Sequence, residues 1–205
     1  MPINYPFPEV DAFELIILVH LAIFVFAALL GLISYLFHSI GLYKIAKRRG
    51  IRHAWLAWFA LGNMWILGSV SDQFRYVVKG KVCNRRKTLL WLTVAMIALV
   101  ILLEFCVAVL QYPLLAGIYE AGNWRVFMPY IIAAGVLAIA VFVISIVAVV
   151  FEYIAYYDLF FSSNPDNATA FLVLGILFPV TLPFFVFSQR KRDYGMPPRK
   201  PVIPE

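Results

Sequence analysis

The sequence predicts an all-α polytopic membrane protein with three long transmembrane helices and two short broken segments. Hydrophobic residues make up 63% of the 205 residues and charged residues 14%, whereas a soluble globular chain is about half apolar and a quarter charged. Three stretches with little or no charge each exceed the roughly 20 apolar residues that span a bilayer core as a helix. We therefore expect a single helical membrane domain over residues 1–189, followed by a basic, proline-rich tail over 190–205.

The first predicted span covers residues 12–43 and carries no charge from residue 15 onwards. Asp11 and Glu14 have the spacing of a capping box at its start. A helix of this length exceeds a hydrocarbon core of about 30 Å, so it must tilt or project beyond the membrane. Small and polar residues recur along one face at steps of four and three, which predicts close approach of neighbouring membrane helices: His20, Phe24, Ala27, Gly31, Ser34, His38 and Gly41.

The first short segment covers residues 54–70 and follows a basic stretch at 44–52. It contains Trp55, Trp58 and Trp65, and Gly62-Asn63 interrupts it. Because tryptophan prefers the membrane–water interface, we expect either a helix lying in that interface or a re-entrant hairpin. A full span is the alternative.

The second and third spans are predicted at 88–112 and 126–158. The third also has a seam of small residues, which includes Ala138, Ser145 and Ala148 and leads to Glu152. A turn signal, SSNPD, precedes the second short segment at 168–189. Pro179 and Pro183 interrupt this segment, which predicts a broken hairpin, although a proline can also occur in a full span.

The distribution of basic residues predicts the topology. They occur in clusters at 44–52 (five), 75–87 (six) and 190–200 (five), with Arg125 alone elsewhere. If neither short segment crosses, sixteen of the 17 basic residues lie on one side. If both cross, the division is eleven to six. The positive-inside rule favours the first arrangement with the clusters in the cytoplasm, and four spans with an external tail remain the alternative.

Four ionisable residues lie inside the apolar stretches: His20, His38, Glu104 and Glu152. Such residues are costly in lipid and usually meet partners inside a helix bundle. His20 and His38 share a helix face about 27 Å apart. From depths measured along the helices we expect two polar layers, with His20 near Glu104 and His38 near Glu152. These layers would provide either a proton or ion path or hydrogen bonds that fix helix register.

No catalytic, metal or cofactor motif stands out. Cys83 and Cys106 form no CxxC pair, and no P-loop, GxSxG, HExxH or GxGxxG pattern occurs. Asp72, Gln73, Arg75 and Tyr76 are the local polar cluster that would suit a lipid-headgroup enzyme. The net charge of +6 is explained by the basic residues beside hydrophobic segments, so nucleic acid is not an expected partner. Those clusters can bind anionic lipids.

Residues 44–68, KIAKRRGIRHAWLAWFALGNMWILG, and 184–197, FFVFSQRKRDYGMP, resemble a pattern in uncharacterised small multi-pass membrane proteins of Gram-positive bacteria. In those proteins a basic, glycine-containing turn precedes a tryptophan and an apolar segment, commonly with Ile-Pro before an asparagine. Here Asn63 matches and Phe59-Ala60 stands in place of Ile-Pro. The resemblance implies a bacterial cytoplasmic membrane location and implies no activity.

The sequence therefore favours a non-enzymatic integral membrane protein, either structural or an accessory subunit that assembles with copies of itself or with partners through its small-residue faces. A small transporter or channel component, with the His/Glu residues along its path, is the first alternative. A membrane enzyme acting on lipid headgroups is the second.

Overall fold

The computed structural model describes residues 12–115 and 128–197. Asp11 and Arg125, which entered the capping and topology predictions, lie outside these residues. Within the described ranges the secondary structure is helical and confirms the all-α polytopic fold. The helices are α1 (Ala12–Arg48), α2 (Ala60–Lys79), α3 (Arg85–Leu115), α4 (Met128–Ser163), α5 (Ala168–Leu177) and α6 (Leu182–Ser188). Three stretches are long and apolar enough to cross a membrane: Glu14–Arg48, Arg85–Gln111 and Met128–Ser163.

Glycine residues end the first two helices. Gly50 and Gly80 both have positive φ, the left-handed conformation that commonly follows the last helical turn. At both places the next residue donates its backbone N–H to a carbonyl in that turn, from Ile51 to Ala46 and from Lys81 to Arg75. Helix α1 therefore ends at Arg48, five residues beyond the predicted limit of residue 43, and its last turn includes basic residues.

The chain between α1 and α3 doubles back on itself, and we call residues 49–84 the first hairpin. Tyr35 in α1 donates a hydrogen bond to the carbonyl of Trp58, so the chain after α1 has returned alongside that helix. Helix α2 then runs back towards the end of α1. Asn63 near its start contacts His38, and Gln73 further along donates to the carbonyl of Arg49. The first hairpin thus begins and ends at the same end of the bundle.

The chain after α4 makes a second hairpin, residues 164–195. Helix α5 runs back along α4, where Tyr153 donates to the carbonyl of Gly175. The chain breaks at Pro179–Thr181, because a proline lacks the N–H that would continue the helical ladder. Helix α6 returns along α1, and the N–H of Gly195 finally reaches the carbonyl of Ser162 at 3.1 Å.

All Lys and Arg residues in the described ranges therefore lie at one end of the bundle, which we call the basic end. Here α1 ends, α3 begins, α4 ends and both hairpins start and finish. The buried core is also close to this end, and its largest apolar side chains include Phe74, Phe160, Leu42, Ile45, Ile66, Leu67 and Leu159. Helices α3 and α4 pack along each other, whereas α1 is exposed from residue 14 to residue 33.

The small residues of α1 have two different environments. Gly41 packs directly against the backbone of α6, and a Cβ atom there would lie 2.9 Å from the amide nitrogen of Phe187. Ala27 and Gly31 are exposed, and Ser34 is half-buried. In α4, Ser145 and Ala148 are half-buried and Ala138 is exposed. The expected close approach of a neighbouring helix on α1 thus occurs at Gly41, while the outer half of that face has no neighbour in the described chain.

We expect Gly41→Ala to destabilise the fold by about 1–3 kcal/mol, because its methyl group would push α6 away from α1. Gly31→Ala is the matched control. Nothing lies within 4 Å of a Cβ atom at Gly31, so the better helix propensity of alanine would leave stability equal or up to about 1 kcal/mol higher. Unfolding midpoints in detergent, followed by circular dichroism, test the comparison, and equal midpoints for the two variants would contradict the α1–α6 contact.

Candidate functional site

A buried carboxylate, Asp158, connects three helices at the basic end. Its side chain is 0% exposed. Oδ2 accepts hydrogen bonds from Ser71 Oγ at 2.6 Å, Arg75 Nε at 2.7 Å and Arg85 Nη1 at 2.9 Å. Removing Arg75 or Arg85 would leave the Asp158 carboxylate poorly compensated in a low-dielectric interior, which costs several kcal/mol. The cluster therefore fixes α2, α3 and α4 relative to one another.

A second ion cluster holds the end of the second hairpin against α1. The Asp193 carboxylate pairs with Arg48 Nε at 2.6 Å and with Arg49 Nη2 at 2.8 Å. Arg49 also donates to the hydroxyl of Ser162 at 2.9 Å. Burial lowers the pKa of the Arg49 guanidinium, while the neighbouring Asp193 carboxylate opposes this shift.

The two hairpin tips meet α1 and α4 around a cavity of about 500 Å³, which we call the tip cavity. The first hairpin contributes Ala60, Asn63 and Met64, and the second contributes Pro179, Leu182 and Pro183. Helix α1 adds Ser34, Tyr35 and His38, and α4 adds Val149, Glu152, Tyr153 and Tyr156. Most of these side chains are apolar or aromatic, with a few polar groups among them, as in many small-molecule sites.

The polar groups of the tip cavity form a connected chain. Asn63 Nδ2 donates to His38 Nδ1 at 3.0 Å, and His38 Nε2 lies 2.9 Å from the Tyr156 hydroxyl. With Nδ1 accepting, a neutral imidazole carries its proton on Nε2 and donates it to Tyr156. Glu152 lies four residues before Tyr156 on α4 and lines the same cavity. The expected neighbours His38 and Glu152 thus line one cavity, in which His38 is hydrogen-bonded to Tyr156.

The other expected layer does not form. His20 is exposed and its Nδ1 is hydrogen-bonded to the carbonyl of Ile16 in the same helix. Glu104 is exposed on α3, and among the described residues no ion pair or hydrogen bond joins it to His20. The face of α3 that contains Glu104 also contains exposed Ile97 and Val100, so it points away from α4.

The tryptophan residues of the first hairpin lie near its surface. Trp55 and Trp58 are exposed, and Trp65 is half-buried with the Arg86 guanidinium 5.4 Å from its ring centroid. His53, just before them, has a φ of 59°, an uncommon conformation outside glycine, asparagine and aspartate. The segment is therefore a folded-back turn followed by α2.

The polar cluster that would suit a lipid-headgroup enzyme is engaged in structural contacts. Both carboxylate oxygens of Asp72 accept backbone N–H groups at the start of α3, from Arg85 at 2.9 Å and Arg86 at 3.2 Å. Arg75 is paired with Asp158. A negative charge stabilises a helix N-terminus. The first turn of α3 contains no acidic residue, and Asp72 supplies that charge from α2.

Sequence reasoning missed Asp158, Asn63 and Tyr156 as site residues. Asp158 is the last residue of the predicted third span, and a charged residue is common at the end of a membrane helix. Its spacing from Glu152 and its position within the apolar run before SSNPD were the available signals. Within the described residues, no group of three His, Cys, Asp or Glu side chains could hold a metal ion.

The fold and site define a multi-pass membrane protein in which two hairpins, both starting and finishing at the basic end, connect α1 to the packed pair α3 and α4. Comparisons of the chain with protein-family models, curated proteins and solved structures found no match.

We expect Asp158→Asn to destabilise the protein by about 3–5 kcal/mol, because Arg75 and Arg85 would lose their buried counter-charge. Asp166→Asn is the matched control, since Asp166 is exposed in the turn after α4. Unfolding midpoints in detergent measure both effects. A loss for Asp158→Asn no larger than for Asp166→Asn would show that the cluster contributes little to stability.

Proposed function

We propose that this chain is a small transport protein of the membrane, a transporter or a channel component, and that the tip cavity is where its solute binds. One observation carries the proposal. The tips of the two hairpins line one open cavity together with α1 and α4, and Asn63, His38 and Tyr156 are already hydrogen-bonded to one another there. Binding sites of this kind, at discontinuous helices near the bilayer midplane, are typical of transporters.

The depth of the cavity supports this proposal. His38 lies ten residues before the end of α1 at Arg48, which is about 15 Å along the helix. That is half of a hydrocarbon core about 30 Å thick. Glu152 lies at a similar depth from the end of α4 at Ser163. Non-helical backbone, as at Phe59 and Pro179, is tolerated at membrane depth where it lines a cavity or is buried in protein.

The chemistry of the lining favours a small, mainly apolar solute with at least one hydrogen-bond donor. Asn63 is 4% exposed, and its Oδ1 is a buried acceptor that no described protein group satisfies. A buried acceptor without a partner costs about 1–3 kcal/mol, so a donor group on the solute would recover that free energy. The remaining wall is mostly hydrocarbon and aromatic rings.

The orientation follows from charge. The basic end would face the cytoplasm, since cytoplasmic loops carry the excess of Lys and Arg. This places both hairpins on the cytoplasmic side. The resemblance of residues 44–68 and 184–197 to small membrane proteins of Gram-positive bacteria makes a bacterial cytoplasmic membrane the proposed location.

Thiol labelling in intact cells and in inside-out membrane vesicles tests the transport proposal. In a background with Cys83→Ser and Cys106→Ser, which removes both free cysteines, we expect Met64→Cys to react with a membrane-impermeant thiol reagent. A cavity that serves transport must contain water and be reached from an aqueous side. Ala27→Cys is the matched control, because it lies on the exposed part of α1 and its thiol would lie in lipid.

Reaction of Met64→Cys together with protection of Ala27→Cys supports the proposal. Tyr194→Cys, on the exposed tail, is the reactive reference, and whether it reacts in cells or in inside-out vesicles reports sidedness. If Met64→Cys resists the reagent when it is supplied from either side, the cavity is closed to water and the transport proposal is wrong.

The second candidate is an accessory subunit that assembles through α1. The observation that favours it is the exposed outer half of this helix, where Ala27 and Gly31 would allow a neighbouring helix to approach closely. Such a helix could belong to a second copy or to another subunit. Lipid is the competing neighbour, so only a measured contact can establish the assembly.

We expect Gly31→Cys, in the same cysteine-free background, to form an oxidative cross-link in membranes of cells that express the protein. Leu29→Cys is the matched control, because it lies at the same depth but on nearly the opposite side of α1. A shifted band for Gly31→Cys alone, read on a non-reducing gel, supports assembly. Equal behaviour of the two variants contradicts a defined helix contact.

A further inference from the structure

A second cavity lies at the basic end, and we call it the basic-end cleft. Its volume is about 570 Å³. The turn after α1 contributes Arg52 and His53, α2 contributes Trp65 and Gln73, and the start of α3 contributes Arg86, preceded by Asn84. It is separate from the tip cavity, because the two share no lining residue.

The two arginines of this cleft differ from most of the other arginines at the basic end. Arg48, Arg49, Arg75 and Arg85 each pair with Asp193 or Asp158. Over residues 12–115 and 128–197, neither Arg52 nor Arg86 forms an ion pair with a carboxylate. Asp72 also lines the cleft, and both of its carboxylate oxygens accept N–H groups at the start of α3. Two arginines against one carboxylate leave the cleft with a net positive charge.

The guanidinium of Arg86 is held in place with its donors available. It lies over the Trp65 ring at 5.4 Å, and stacking on a ring face leaves the N–H groups at the guanidinium edge free to donate. Planar guanidinium groups match phosphate oxygens well because they can bind them through two parallel hydrogen bonds. On the same cleft, the Oε1 of Gln73 is buried without a described partner and can accept from a hydroxyl group.

The mouth of the cleft is adjacent to the first residues of α3. If α3 crosses the membrane from there, the mouth would lie at the level of lipid headgroups. Tyr76 is 64% exposed and Val82 is 81% exposed at its rim. An aromatic residue with a polar tip is typical of the interface, and an exposed valine offers contact to the start of an acyl chain.

We propose that the basic-end cleft binds a phosphate group, carried either by the headgroup of an anionic phospholipid or by free phosphate. Arg52 and Arg86 supply the charge and the donors, and Gln73 accepts from a hydroxyl group where the ligand has one. The site does not depend on the transport proposal, because no residue of the tip cavity takes part in it.

Binding measurements on the whole protein in an uncharged detergent test the site. One arm titrates a short-chain phosphatidylglycerol and the other titrates inorganic phosphate, both at fixed ionic strength. We expect Arg52→Gln and Arg86→Gln each to weaken binding about fivefold, the loss that corresponds to one basic residue near an anionic surface. Lys87→Gln is the matched control: it removes the same charge next to Arg86 but from a residue outside the cleft, and binding is expected to stay unchanged.

The two arms identify the source of the phosphate. Binding of the lipid with little response to inorganic phosphate assigns the site to a lipid headgroup, and comparable binding of phosphate alone assigns it to a soluble anion. Among the described residues the Arg52 side chain forms no hydrogen bond or ion pair, so Arg52→Gln is expected to keep the unfolding midpoint and remains informative if Arg86→Gln does not fold. Equal weakening by Lys87→Gln, or no binding in either arm, would overturn the proposal.

Discussion

The buried carboxylate of Asp158 is the constraint on which the arrangement of this molecule depends. A charge that is 0% exposed within a mostly hydrocarbon environment must be neutralised by protein, because neither water nor lipid can do it there. Ser71 and Arg75 come from the first hairpin, and Arg85 begins the second span. The pairing therefore ties the first hairpin to α3 and α4 at one point.

The two ends of each hairpin are held by different forces. At the basic end, ion pairs to Asp158 and Asp193 hold the hairpins, and breaking such a pair on one side costs about 3–5 kcal/mol. At the tips, neutral hydrogen bonds such as that between Asn63 and His38 contribute about 1 kcal/mol each. Breaking the hydrogen bonds at the tips thus requires less free energy than breaking the ion pairs at the basic end. The polar contacts at the tips would accordingly break before those at the basic end.

Much of this fold could be predicted from the sequence, because length and charge decide what can cross a bilayer. The long apolar stretches predicted the three spans. The basic clusters favoured an arrangement in which both short segments return to the side on which they start. Contacts between side chains were harder to predict. Periodicity shows that His20 and Gly31 share a face of α1, but it does not show whether that face meets a neighbour. Tyr156 is hydrogen-bonded to His38, and nothing in its local sequence distinguishes it from Tyr153 or Tyr157.

The distances of His20 and Glu104 from the basic end explain why the two side chains do not meet. Measured from the outer helix ends, both residues lie inside the membrane. Measured from the basic end, Glu104 lies about 28 Å along α3 from Arg85, and His20 about 42 Å along α1 from Arg48. A hydrocarbon core of about 30 Å ends near the first distance and before the second. Each side chain can then reach the opposite headgroup region, where water rather than a partner satisfies it. Asp158 and His38 lie within the buried part of the bundle, and these are the residues for which the protein itself provides partners.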